Sequence, residues 1–188
     1  MDPRYPAGMG IEVREVRPEE YAEAGAVTMS AYMEYVPGRD ESRPGFNHDD
    51  WTEYLSLLAD VGSRVDHARV LVAIDGDIVV GCTTVELDER ISADSEPLRP
   101  GQAHLRMVAV DPHHRRRGIA RLLLTKGIAM AREAGKTEMT LNTSDRMVAA
   151  QRLYESLGFV RGPDRTFDDR PSWRSYALDL SAIRSGGR

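Results

Sequence analysis

The chain has 188 residues, a size typical of one domain, and 41% of them are hydrophobic, which is enough to form a core. Its formal net charge of −5 argues against a dedicated duplex-DNA binder, which usually carries a basic excess. The single cysteine, Cys82, excludes an intrachain disulfide and a cysteine zinc cage, and we predict that it is buried in a strand. No apolar run is typical of a secretory signal or a membrane span, so the expected location is cytoplasmic.

The first half of the chain predicts a strand, two helices and a hairpin. Residues 1–10 contain Pro and Gly and are expected to form a loose leader, whereas the alternation over 11–16 predicts a half-buried strand. The acids that follow Pro18 predict the first helix, and the segment "HDDWTEYLSLLADVG" predicts a second helix that ends at Gly62. Two β-branched runs flank "DGD" within residues 68–87, which indicates an antiparallel hairpin.

The second half predicts a strand–helix–strand unit, a further helix and a last strand. The corresponding stretches are strands 103–110 and 137–142 around helix 118–135, then helix 145–158 and strand 172–183. Such a unit makes two parallel strands with a right-handed crossover. We therefore predict one mixed α/β domain over 11–180, with a mobile tail at 181–188.

The junction between strand 103–110 and the next helix is "VDPHHRRRGIA". A loop that leads from a strand into a helix leaves several backbone N–H groups unbonded, and the helix dipole adds partial positive charge there. Gly118 lets a ligand approach the backbone closely. These features favour an anion, above all a pyrophosphate. The junction matches neither the Walker A string nor the dinucleotide fingerprint.

The junction resembles the acetyl-coenzyme A loop of the GNAT-type N-acetyltransferases, [Q/R]-x-x-G-x-[G/A], with Arg115, Gly118 and Ala120 at its defined positions. A second stretch, "AAQRLYESLGF", resembles the family helix A-x-x-x-Y-x-x-x-G-F. Its matching residues are Ala150, Tyr154, Gly158 and Phe159. Two landmarks in the right order make the resemblance specific, and it covers nearly the whole chain.

The resemblance implies a mostly antiparallel mixed sheet of six to seven strands with about four helices. It also implies a V-shaped splay between the fourth and fifth strands, where acetyl-CoA binds as co-substrate without a metal. One departure is Met147, which stands where many relatives have a coenzyme-contacting asparagine; Asn142 is a candidate to compensate. The coenzyme-binding residues that we predict are Val108, Ala109, Val110, Arg115, Arg116, Arg117, Gly118, Ile119, Ala120, Asn142, Met147 and Tyr154.

Two residues are candidates for proton transfer. The resemblance implies that Tyr154 protonates the departing thiolate, although its spacing alone is equally typical of a core tyrosine. Glu86 is the first candidate for the base that takes a proton from the acceptor ammonium. The alternatives are that Glu86 is an exposed strand-end residue, that His104 is the base, or that a water chain is.

The resemblance places the acceptor between the first two helices, their loop and the segment before the last strand. The predicted lining is Tyr32, Tyr35, Trp51, Glu86 and Phe167. Aromatic side chains with a few acids suit a small cationic amine, although many of them could equally be core residues. Adjacent His113 and His114 lack the i, i+4 spacing of a helical metal pair, so we expect them to be solvated or beside the phosphates.

The sequence therefore predicts an N-acetyltransferase that moves an acetyl group from acetyl-CoA to a primary amine of a small molecule or peptide. The alternative is an acyl-coenzyme A sensor without catalysis. We expect neither nucleic-acid binding through Arg115–Arg117 nor a membrane partner. A homodimer is an open alternative to a monomer.

Overall fold

The computed structural model describes residues 10–35, 48–88, 97–165 and 173–181, and at 48–51 and 165 it describes the backbone alone. Within these residues, seven strands form one sheet in the order β1-β2-β3-β4-β5-β7-β6. Only β4 and β5 pair in parallel. The strands are β1 Glu12–Glu15, β2 Arg69–Asp75, β3 Ile78–Glu86, β4 Gln102–Val110, β5 Glu138–Ser144, β6 Val160–Arg165 and β7 Trp173–Asp179. The predicted mixed, mostly antiparallel sheet is confirmed.

Helices cover both faces of the sheet. On one face, α4 Ile119–Glu133 and α5 Val148–Ser156 bury the larger apolar core. On the other face, α1 Tyr21–Met33 and α3 Val61–Val65 bury a smaller cluster, and α2 His48–Ala59 packs against α1. Fully buried Cys82 belongs to the smaller cluster, as predicted for a strand cysteine.

One prediction about an element was wrong. The second helix does not run unbroken to Gly62 but stops at Ala59, because Asp60 leaves the helical conformation and caps α3 by accepting a bond from the Ser63 N–H at 3.0 Å. Strand β6, "VRGPDR", is not among the individually predicted elements. It forms as an edge strand against β7, where a proline costs no ladder bond on the open side.

Strands β4 and β5 separate part of the way along their length, and this separation opens the space for a candidate site. Their parallel pairing runs only from Gln102 opposite Glu138 to Leu105 opposite Leu141, although both strands continue beyond it. A β-bulge interrupts β4 at this point: Met107 has φ +55°, and the register with β3 shifts by one residue. A bulge bends its strand and increases the local twist. The predicted V-shaped splay is thus confirmed, and the bulge marks where it begins.

The packing of α1 against α2 depends on one close contact between their backbones. Gly25 in α1 lies so near α2 that an added Cβ would overlap the carbonyl oxygen of Ala59. The absence of a side chain at Gly25 therefore sets the spacing between α1 and α2, and with it the wall on the acceptor side of the splay.

We expect Gly25→Ala to destabilise the fold by about 1–3 kcal/mol, because an overpacked contact with backbone cannot relax cheaply. For a chain of this size, thermal melting should drop by about 2–4 °C per kcal/mol. Gly62→Ala is the matched control: its Cβ would meet neighbours only at 3.6 Å and beyond, so melting should be unchanged or slightly higher. Equal melting of the two variants would contradict the packing argument.

Candidate active site

The loop between β4 and α4 is held open by its backbone conformation. Asp111 starts it, accepting the His113 N–H at 2.7 Å with its side chain. Arg116 and Gly118 then adopt left-handed conformations, with φ of +63° and +78°. An added Cβ at Gly118 would meet nothing within 4 Å. The Gly118 backbone therefore faces open space at the start of α4.

The unbonded backbone N–H groups of this loop indicate an anion-binding site. Within the described residues, the backbone N–H groups from Arg116 to Arg121 donate no hydrogen bond to the protein; the first bonded amide is that of Leu122, to the Gly118 carbonyl at 3.1 Å. Alternating left- and right-handed residues turn successive N–H groups toward one point, and the α4 dipole favours negative charge there. This fits the predicted coenzyme contacts of Arg116 through Ala120.

Two of the three arginine side chains in this loop form ion pairs with residues of other elements. Arg115 forms an ion pair with Glu34 at the end of α1 at 2.7 Å, which lowers the pKa of that carboxyl. Arg117 pairs with Asp75 at 2.6 Å. Arg116 is exposed and forms no ion pair with another described residue. The loop side chains thus anchor the loop to α1 and β2, while its backbone remains available.

The two histidines of the loop behave differently. His113 is exposed, as expected, but His114 is buried, with Nδ1 3.4 Å from Asp111. The solvated alternative is therefore wrong for His114, whereas a position beside the phosphates stays a prediction. His114 lies in the short helical turn Pro112–His114.

Beyond the bulge, one edge of β4 faces the splay without a strand partner. The Asp111 N–H donates to the Val80 carbonyl of β3 at 3.0 Å. Because backbone groups alternate sides along a strand, Val108 and Val110 direct their N–H and C=O groups away from β3, toward the splay. Ala109, which lies between these two residues in sequence, has a buried side chain. These strand positions fit the predicted contacts with an extended ligand.

Tyr154 lies in α5, the helix that follows β5. Its ring is buried against Phe159 and Tyr176, with centroids 6.1 and 5.9 Å away. Its hydroxyl forms no hydrogen bond with another described residue, yet that oxygen is not fully enclosed. Burial raises the pKa of Tyr154, so the phenol stays protonated at neutral pH. A core tyrosine would be expected to satisfy its hydroxyl, which this one does not.

Tyr32 lies in α1 and Tyr35 follows directly after that helix, on the other face of the sheet from α5. Burial raises the pKa of Tyr32 well above its ordinary value, and burial with a hydrogen bond to Glu34 raises that of Tyr35 to about 12. Of the other predicted acceptor residues, Phe167 and the Trp51 side chain lie outside the described residues.

Glu86 is not an exposed strand-end residue. It is buried at the end of β3, and its Oε1 lies 3.2 Å from Arg106 Nη1. In the β3–β4 register it stands opposite His104. The His104 Nδ1 lies 2.9 Å from the Thr140 hydroxyl, which itself donates to the Ala103 carbonyl at 3.3 Å. Both candidate bases therefore lie on the α1 side of β4, near the closed end of the splay.

Asn142 and Met147 occupy different surroundings. Asn142 is exposed in β5 and shares a sheet face with Thr140, opposite the face that Leu141 buries under the helices. Met147 caps α5 and accepts a contact from the Thr143 hydroxyl through its sulfur at 3.4 Å. The coenzyme contacts of both residues stay predictions.

Sequence reasoning missed Arg64. It lies in the last turn of α3 and is 5% exposed, and it donates to Met107 at the bulge. No signal in the sequence marked it, because Arg64 lies in the mixed polar segment "DVGSRVDH", and nothing there indicated that α3 would turn it inward. No group of acidic, histidine or cysteine side chains suited to a metal occurs among the described residues. Nor does any described helix have the length and apolar character needed to cross a membrane.

Two curated relatives resemble the chain over about two thirds of its length. One is mycothiol acetyltransferase of Thermobispora bispora, 36% identical over 142 residues, which cover 68% of this chain and 45% of the relative. The other is N-alpha-acetyltransferase 30 of Xenopus laevis, 33% identical over 113 residues, 60% of this chain and 37% of the relative. The chain thus spans about half or less of the length of the curated relatives that it matches.

The fold matches that of solved acetyltransferase structures. One of these, from Salmonella typhimurium and bound to its cofactor acetyl-CoA, superposes with a TM-score of 0.64 at 19% identity, over 95% of this chain and 99% of that one. The family model for the GNAT acetyltransferases matches residues 28–159, a span that includes both the loop with Gly118 and the helix with Tyr154. With the two landmarks on opposite sides of one splay, the chain belongs to the GNAT acetyltransferase family.

Proposed function

We propose that this chain transfers an acetyl group from acetyl-CoA to an amine acceptor. The observation that carries the proposal is a row of unbonded backbone N–H groups at the start of α4, continuous with the unpaired edge of β4. An extended donor with a pyrophosphate at one end and a thioester at the other matches that arrangement of charge and hydrogen-bond donors.

The chain's own backbone supplies most of the coenzyme site. The N–H groups from Arg116 to Ala120 would hold the pyrophosphate, and the exposed Arg116 side chain adds attraction. The β4 groups of Val108 and Val110 would pair with the amide-containing arm. When bound, acetyl-CoA supplies the activated acetyl group as a thioester.

Acyl transfer develops negative charge on the thioester oxygen as the acceptor nitrogen attacks the carbonyl carbon. A preorganised N–H donor at that oxygen is worth about 2.7–4 kcal/mol in comparable sites. In this chain the donor would come from β4 directly after the bulge, since the bulge turns the backbone of Val108 toward the splay.

Tyr154 would stabilise the departing sulfur. A free thiol has a pKa of about 8.5, and burial raises that of Tyr154 above its ordinary 10. Complete proton transfer from Tyr154 to the thiolate is therefore uphill, so its main contribution would be a hydrogen bond donated to the developing charge. Such a bond to a charged group is worth about 1.5–3 kcal/mol.

Glu86 remains our first candidate for the base, with His104 and a water chain as the alternatives. Its pairing with Arg106 keeps its carboxylate in place on the acceptor side of β4. The names of the two relatives support both a small-molecule and a peptide acceptor for this chain. The cytoplasmic location, the domain bounds and a homodimer stay predictions.

The coenzyme site is tested by Gly118→Val. Calorimetric titration with coenzyme A should show affinity reduced at least about 10-fold, because a branched side chain would fill the space in front of the amides. Gly135→Val is the matched control, since Gly135 at the other end of α4 has φ +72° and equally open surroundings. It imposes the same backbone strain but should bind normally. Normal affinity of Gly118→Val would contradict the site.

Catalysis is tested by thiol release from acetyl-CoA in the presence of a pooled amine panel. Tyr154→Phe should lower kcat by about 10- to 100-fold and leave coenzyme binding intact, because only the hydrogen bond to the sulfur is removed. Tyr176→Phe removes a neighbouring hydroxyl that donates to Glu155 at 3.1 Å instead, and should have little effect. An unchanged rate for Tyr154→Phe would remove Tyr154 from the mechanism. Coenzyme binding without release with any amine would favour the sensor alternative.

The base is tested by kcat/KM at one fixed pH. Glu86→Gln should reduce kcat/KM by about 10²–10⁴-fold, because an amide cannot accept the proton of the acceptor ammonium. His104→Gln should leave kcat/KM nearly unchanged. The reverse pattern would identify His104 as the base, and nearly unchanged values in both variants would point to a water chain.

A further inference from the structure

Arg64 is a buried cation whose hydrogen bonds to the described residues all go to neutral atoms. Its side chain extends from α3 under the sheet and is 5% exposed as a residue. Nη1 donates to the Thr84 hydroxyl at 3.3 Å and to the Met107 sulfur at 2.6 Å, and Nη2 donates to the Leu58 carbonyl at 3.1 Å. Its Nε is buried and has no acceptor.

No carboxylate among the described residues forms an ion pair with Arg64. Asp60 acts on it only through space, because both Asp60 oxygens are bonded to Ser63. A guanidinium remains protonated in proteins, so this position carries a full charge. Leaving such a charge buried without compensation costs several kcal/mol. An anion supplied by a ligand would provide the compensation.

The charges around Arg64 strengthen this argument. Arg106 is partly buried on the same face and pairs with Glu86 at 3.2 Å. Electrostatic repulsion from Arg106 adds to the burial of Arg64, and both effects lower the pKa of Arg64. The pairing of Arg106 with Glu86 does not compensate the charge of Arg64. A purely cationic acceptor would be repelled by that charge.

Arg64 also lies close to the reaction centre. It touches Met107, the bulge residue, one position before Val108 exposes its backbone to the splay. Tyr32 lies in α1, which packs against α3, β3 and β4 on this face of the sheet. Its hydroxyl has no hydrogen-bond partner among the described residues and is not fully enclosed. The contact with Met107 therefore places Arg64 at the bulge where β4 turns toward the splay.

We propose that Arg64 binds the carboxylate of the acceptor, and that the acceptor is a free amino acid or a similar small amine with a carboxylate a few bonds from its nitrogen. This inference rests on the proposed acetyl transfer. A planar guanidinium matches a carboxylate with two parallel hydrogen bonds. The Met107 sulfur is a weak acceptor on a flexible side chain, so exchanging it for a carboxylate costs little.

The wild-type enzyme tests the inference without any substitution. Thiol release from acetyl-CoA is measured with a set of α-amino acids, their α-carboxamides and the corresponding amines without the carboxyl group. Rates are corrected for the fraction of free amine, since the amide lowers the basicity of the nitrogen. We expect kcat/KM to be about 10- to 100-fold higher for the amino acids. Equal values for acids and carboxamides would overturn the inference.

Variants then assign the preference to Arg64. Arg64→Met should abolish it, lowering kcat/KM for amino acids about 10- to 100-fold while leaving the carboxamides within about threefold. Arg64→Lys should retain part of the preference because it keeps the charge. Arg69→Met, which removes an exposed cation paired with Glu15, is the control for net charge. If Arg64→Met slowed both acceptor classes equally, Arg64 would be structural and the inference would be wrong.

The outcomes separate this inference from the proposed function. If no amine of any class releases thiol although coenzyme A binds, acetyl transfer itself fails. If carboxamides and simple amines are acetylated as well as amino acids, acetyl transfer stands and only the role of Arg64 fails. If Arg64→Met does not fold, as judged by its melting curve, the wild-type comparison of acids with carboxamides still decides.

Discussion

The parting of β4 from β5 is the constraint on which the rest of this site depends. A parallel pair that remained bonded over its full length would have no free backbone edge and no cavity. The bulge at Met107 ends the pairing after Leu105, and it requires a left-handed conformation that a methionine adopts only at some energetic cost. Strain of this kind is commonly retained where it positions a reacting group.

The coenzyme end of the site is built from backbone, and this explains the uneven use of the three arginines. Arg115 and Arg117 hold the loop against α1 and β2 through ion pairs, so their charges are largely compensated within the protein. In the proposed site the amides from Arg116 onward would carry out recognition, because α4 begins there and its first turn cannot bond them internally. Charge would attract the ligand, while backbone geometry would select a pyrophosphate.

The proposed acceptor side is built from side chains and has the opposite character. Arg64, Arg106 and Glu86 lie on the α1 face of the sheet near the bulge. Burial raises the pKa of the phenols of Tyr32, Tyr35 and Tyr154, so that they remain neutral donors. The aromatic residues alone suggested a cationic acceptor. The buried guanidinium of Arg64 changes that expectation, since its charge has no carboxylate partner among the described residues and lies next to the reaction centre.

The sequence by itself determined the elements and the two landmarks. Gly118 after a strand, the periodic apolar positions of α4 and the spacing of Tyr154, Gly158 and Phe159 are local patterns, and local patterns report helices, turns and motifs well. Only the tertiary structure decided the surroundings of Glu86, His114 and Arg64, each of which is buried. Burial and ion pairing join residues far apart in the chain, such as Arg64 and Met107, and no short window of sequence contains both partners.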